Sequence, residues 1–102
     1  MEIIWTKFAS NSLFEILIFV KNQAGSSISL KTKRQIFRTT RNIPRFPLAG
    51  KLEGLLIETG KEYRFKICGN YKIIYRVEGK IVYIIDVFDC RQNPEKLIKR
   101  NS

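Results

Sequence analysis

Residues 63–89 restrict the fold more tightly than any other part of the chain. Tyr63–Cys68, Tyr71–Val77 and Lys80–Asp89 are runs of β-branched and aromatic residues, separated by Gly69-Asn70 and Glu78-Gly79. Such runs favour extended backbone, and a glycine beside a polar residue is a strong short-range signal for a hairpin turn. Three strands in a meander are therefore expected. Arg64, Lys66, Lys72 and Arg76 are threaded through them and Arg91 follows. A small sheet carrying that much positive charge points to an anionic partner, either nucleic acid or an acidic protein.

The segments before the meander supply the layer it needs. Glu2–Trp5 reads as a short strand, and Thr6 stands where a helix N-cap would. Phe8, Leu13, Ile16, Leu17 and Val20 then recur at helical spacing through Asn22. Gly25-Ser26-Ser27 interrupts the pattern and offers a fresh cap. A second helix is expected from Ile28 to Arg41, with Ile36 and Phe37 facing inward and Lys31, Lys33, Arg34, Arg38 and Arg41 forming a basic outer side. Pro44 and Pro47 stop that helix and begin an irregular connector reaching Gly50. Leu55–Glu58 reads as one more strand, and Glu95–Arg100 as at most a short basic tail helix. The expectation is one α+β domain over residues 1–102, with two N-terminal helices packed on a curved antiparallel β-sheet in the order β-α-α-β-β-β-β.

Two-residue hairpin loops allow the pairing to be written in advance. Cys68 then faces Tyr71 and Arg64 faces Tyr75, while Val77 faces Lys80, Ile74 faces Tyr83 and Lys72 faces Ile85. Alternation places Phe65, Ile67, Lys72, Ile74, Arg76, Ile81, Tyr83 and Ile85 on one face. Arg64, Lys66, Tyr71, Ile73, Tyr75, Val82, Ile84 and Asp86 occupy the other. The first face is the more apolar by composition and is expected to meet the helices. The second then becomes the functional surface, with Asp86 opposite Tyr71 and near Arg64. A bulge at Gly69 would move Arg64 and Lys66 to the opposite side.

Composition removes several chemistries. The 102 residues include 19 Lys and Arg, 9 Asp and Glu, and no histidine, for a net charge of +10. Without imidazole there is no Ser-His-Asp or Cys-His catalysis. Cys68 and Cys90 are too few and too far apart for a zinc site without histidine, and they read as small buried thiols. No metal and no cofactor is expected. The apolar run Phe14–Val20 contains Glu15 and falls far short of the ~20 residues needed to span a bilayer. No signal-peptide pattern opens the sequence, so a cytoplasmic protein without membrane contact is expected.

Taken in order, these residues resemble the RelE/ParE superfamily of toxins from bacterial type II toxin–antitoxin modules. The resemblance is carried by Trp5-Thr6, Ala9, Leu13 and Ile16, by Phe46–Gly50, by Glu62-Tyr63-Arg64, by Gly69–Tyr75 and by Val87–Pro94. It implies two helices on a curved antiparallel sheet, and a cognate antitoxin whose C-terminal segment wraps the toxin. It also implies growth inhibition through one of two targets, since a fold alone does not choose between them.

One target is mRNA on the ribosome, cut when the RNA 2′-OH attacks the adjacent phosphate. That route needs charge stabilisation and proton transfer. Arg64, Lys66, Lys72 and Arg91 stand where the family places basic residues, with Tyr71 as a further member of such a site. Nuclease members often carry a His or Tyr just after the last strand, whereas Asp89–Leu97 here has neither. Unperturbed Lys and Tyr titrate near pH 10, far from the range of an effective base. The other target is DNA gyrase, inhibited by binding alone. The helical hairpin, Glu62-Tyr63-Arg64 and Arg91–Pro94 resemble the ParE branch, and the reading leans that way. An inactive relative or a basic nucleic-acid-binding module is a further alternative.

Overall fold

Thr6 begins the helical layer as the sequence suggests. In a computed structural model describing residues 1–54, 61–92 and 94–101, its hydroxyl accepts from the Ala9 amide at 3.1 Å and donates to the Ile84 carbonyl at 2.9 Å. One side chain thus caps helix α1 (Lys7–Ala24) and ties it to the sheet. Gly25, at φ +93°, ends α1 and starts α2 (Ser26–Asn42) without a side-chain cap. Ser26 and Ser27 lie inside α2 and do not cap it. A positive φ at this corner is tolerated by glycine and strained for other residues. The Ser29 hydroxyl donates to the Leu17 carbonyl at 2.8 Å, fastening the two helices together.

The sheet has five strands in the order β1-β5-β4-β3-β2. These are β1 (Glu2–Trp5), β2 (Lys51–Leu52), β3 (Arg64–Cys68), β4 (Tyr71–Glu78) and β5 (Ile81–Asp89). The meander is antiparallel, as expected. β1 runs parallel to β5 and makes the sheet mixed, because the helical hairpin carries the chain across before the later strands form. The residues expected to add a strand at Leu55–Glu58 lie outside the described ones.

The β3–β4 register matches the expectation, from Cys68 opposite Tyr71 to Arg64 opposite Tyr75, with no bulge at Gly69. The β4–β5 register differs. Glu78 pairs with Ile81, so Gly79-Lys80 forms the loop and Val77 meets Val82. Farther along, Tyr75 pairs with Ile84 but Ile74 with Asp86, which leaves Ile85 as the extra residue of a bulge. Ile74 therefore does not face Tyr83, and Lys72 faces Phe88 in place of Ile85.

The expected assignment of faces is reversed. The main core joins Ala9, Leu13, Ile36 and Ile43 to Tyr71, Ile73, Tyr75, Val82, Ile84 and Val87. The face bearing Arg64 and Lys66 is thus the one that meets the helices. Those cations lie on β3, beside edge strand β2, while the central strands β4 and β5 supply the apolar surface that decides which side is covered. The other face carries a smaller core of Tyr63, Ile74, Phe88 and Leu97, with Phe65 and Ile85 against it. Helix α3 (Pro94–Asn101) covers this second core through Leu97, which is fully buried. The bulge also sends Asp86 to the α3 side, where it accepts from Asn101 Nδ2 at 3.1 Å, so it is not opposite Tyr71. Cys68 is half-buried and Cys90 exposed, in contrast to the two buried thiols expected.

Candidate functional site

The basic residues singled out in the sequence go to three different places. Arg64 turns into the connector. Its guanidinium donates to the Leu48 carbonyl at 3.1 Å and the Gly50 carbonyl at 2.9 Å, and it pairs with Glu62. Tyr75 completes the same clamp, its hydroxyl donating to the Pro47 carbonyl at 2.7 Å and accepting from the Gly50 amide at 3.1 Å. A five-donor planar fork suits this work, since it can reach two backbone carbonyls and a carboxylate together. Connector polar groups that would otherwise be stranded next to the core are satisfied this way.

Lys72 points to the opposite side of the sheet. Its Nζ lies 2.8 Å from Glu53 Oε2 and 4.5 Å from the centroid of the Phe65 ring. Glu53 is almost wholly buried, and its amide donates to the Tyr63 carbonyl at 2.8 Å. Lys72 thus balances a buried carboxylate and closes the chain around β3. Lys66 shares the helix-facing side with Arg64 but pairs with Ile73, two residues further along the strand.

Tyr71 and Arg91 do come together. Tyr71 pairs across the sheet with Asp89, and Arg91 folds back onto that carboxylate in a bidentate contact at 2.9 and 2.7 Å. The Arg91 amide adds a third bond to Asp89 at 2.9 Å. Ser12, Glu15, Ile16 and Phe19 of α1 close the other wall of a cleft of about 460 Å³. A second hollow of about 310 Å³ shares Phe19, Tyr71 and Arg91 and runs on past Gly69-Asn70 toward the Gly25 corner. The α1 wall was overlooked in the sequence, although 12, 15, 16 and 19 follow helical spacing. Asp89, the anchor of Arg91, was also missed; its two-residue offset from Arg91 was the available signal.

The electrostatics follow from this packing. Burial pushes the Tyr71 phenol above its ordinary value, Asp89 adds to the rise, and nearby Arg91 draws it partly back. Tyr71 therefore stays neutral and can donate a hydrogen bond, but it is poorly suited to act as a base. The Arg91 guanidinium holds the Asp89 carboxyl below the usual range, and Asp89 in turn holds Arg91 firmly protonated. Although Cys90 is exposed overall, partial desolvation raises its thiol, offset in part by Lys72, and this disfavours the thiolate. Among the described residues no three Cys, Asp or Glu side chains converge where they could hold a metal ion. The cleft presents the Arg91–Asp89 ion pair, a neutral phenol and a helix wall in which Ser12 and Glu15 stand beside Ile16 and Phe19.

Comparison with known proteins agrees with this architecture. Residues 3–94 match the family described as the ParE toxin of the type II toxin–antitoxin system parDE. No curated protein matches the chain. A solved structure described as the chromosomal ParDE toxin–antitoxin system from P. aeruginosa is similar in fold, with a TM-score of 0.74 and 20% identity, covering 87% of this chain and 95% of that one.

Proposed function

Because the chain belongs to the ParE toxin family of type II toxin–antitoxin systems, we propose that it arrests growth by binding DNA gyrase and is neutralised by a cognate antitoxin. The observation that carries this reading is the dispersal of the cations. Arg64 is committed to the connector carbonyls and Lys72 to Glu53, on opposite faces of the sheet. RNA cleavage requires groups gathered around one phosphate, with a base in reach of the 2′-OH. Tyr71 is the nearest approach to such a base, and its environment holds the proton on. A binding toxin needs no such convergence.

The antitoxin has a natural seat on the outer side of α1. Phe14, Ile18 and Phe19 are exposed there, and Phe19 also lines the Tyr71–Arg91 cleft. Exposed apolar side chains on one helix suit a segment that folds as it binds and lays its own apolar side chains against α1.

Purified toxin tested in parallel on gyrase and on mRNA-programmed ribosomes separates the targets. Loss of supercoiling, with cleaved DNA complexes accumulating and mRNA intact, is the expected result. Unaffected gyrase together with cut mRNA would overturn the proposal in favour of the nuclease mechanism.

A further inference from the structure

The basic side of α2 plays no part in the cleft, the connector or the ion pairs. From Ile16 to Leu52 the chain has eight Lys or Arg and no Asp or Glu. Five of these cations lie on α2, namely Lys31, Lys33, Arg34, Arg38 and Arg41, and all five are exposed. None takes part in the four ion pairs found among the described residues. At 3.6 residues per turn they occupy an arc of about 160° centred well away from buried Ile36, and run for about 15 Å along the axis. Lys33, Arg34, Arg38 and Arg41 edge a shallow groove of about 280 Å³ floored by Leu30 and Phe37.

We infer that this face of α2 binds the phosphate backbone of double-stranded DNA. Charge complementarity selects a polyanion, because no acidic residue of α2 moderates the field. A strand of duplex carries one phosphate per 3.4 Å of axis, so the stripe spans about four of them. Single-stranded nucleic acid is the poorer fit, since it is held by bases stacking on open aromatic rings. Phe37 is the only ring in the stripe. It is engaged edge-on with Trp5 at 5.4 Å and 68°, and Lys33 lies over it at 5.9 Å. Binding is expected to be independent of base sequence, since Arg and Lys can meet phosphates here without an element placed to enter a groove. This face is separate from the Tyr71–Arg91 cleft, and the inference holds whether or not gyrase is the target.

The test is fluorescence anisotropy of the full chain with a short labelled duplex over a salt series. Arg34→Gln/Arg38→Gln/Arg41→Gln is compared with Lys7→Gln/Lys21→Gln/Lys80→Gln, which removes the same charge from other exposed positions. Circular dichroism first establishes that both variants fold. The α2 variant is expected to flatten the log–log salt dependence by about 2.7, at ~0.9 per lost phosphate contact, with little change in the control. An equal loss in both variants would reduce the effect to net charge and overturn the inference. So would tighter binding to a single strand of the same length. Duplex binding that survives while antitoxin binding is lost would reassign the face to an acidic protein.

Discussion

The Tyr75 hydroxyl reaches the connector only because residue 50 has no side chain. A Cβ added at Gly50 would collide with the phenol oxygen and the ring carbon bearing it, inside fully buried surroundings. Gly50→Ala is expected to lower stability by about 1–3 kcal/mol through overpacking. Tyr75→Phe, which removes both hydrogen bonds, should cost about 1–3 kcal/mol through the groups it strands. Urea denaturation of the double variant should show less than the sum of the two, because the shorter side chain relieves part of the collision. A strictly additive result would mean that the two sites do not touch. The pairing of Asp89 with Arg91 gives a pH signature. The Asp89 carboxyl is depressed in the folded state, so its stabilisation is complete above the unfolded value near ~3.9 and is lost as pH falls through the folded value. The gap in melting temperature between the native chain and Asp89→Asn should be steady at neutral pH and close below about pH 4. A gap that widens in acid would reverse this assignment. The type of each of these residues was plain in the sequence, but their partners were not. Arg64 looks the same on paper whether it meets a phosphate or the Leu48 and Gly50 carbonyls.

Helices and strands were more legible than the relations between them. Thr6, Gly25, Gly69 and Gly79 announce their corners through local chemistry, and periodicity revealed both long helices. The residues sharing each face were legible up to Ile84, but the face that meets the helices was not. The central strands β4 and β5 decide which side is covered, whatever cations β3 adds to it. The Gly79-Lys80 loop moves the β4–β5 pairing by two residues, which preserves the alternation of faces, and the Ile85 bulge reverses that alternation only for the residues beyond it. A bulge is specified by packing on both sides of a sheet, and no residue type marks it. The last helix was undervalued for a related reason. Its sequence is mostly polar, and among its described side chains Leu97 is the one that is buried. Leu97→Ala should cost about 2–5 kcal/mol and release α3 from Tyr63, Ile74 and Phe88. Limited proteolysis would then cut ahead of α3 while the main core stayed protected. Uniform protection along the chain would mean that other contacts hold the helix.

At the scale of the molecule, the two long helices present different outer surfaces. The outer side of α1 shows Phe14, Ile18 and Phe19, whereas α2 shows its cations. The excess of basic residues was evident from composition, but which flank carried it depended on how the hairpin sits on the sheet. Phe14→Ser/Phe19→Ser is expected to leave toxicity intact and weaken neutralisation by the antitoxin at least tenfold, measured by titration calorimetry. Unchanged affinity would place the antitoxin elsewhere.

The parallel pairing of β1 with β5 also governs when the protein can become itself. Glu2 sits beside Ile81, and the Thr6 hydroxyl waits for the carbonyl of Ile84, 78 residues later. At roughly 5–20 residues per second, translation leaves that partner absent for about 4–16 s after Thr6 is made. The helical hairpin can form early, but the sheet it rests on is completed only when nearly the whole chain has emerged. A growing chain is therefore an unfinished toxin, and an antitoxin that recognises the finished cleft has its task postponed until synthesis is almost done.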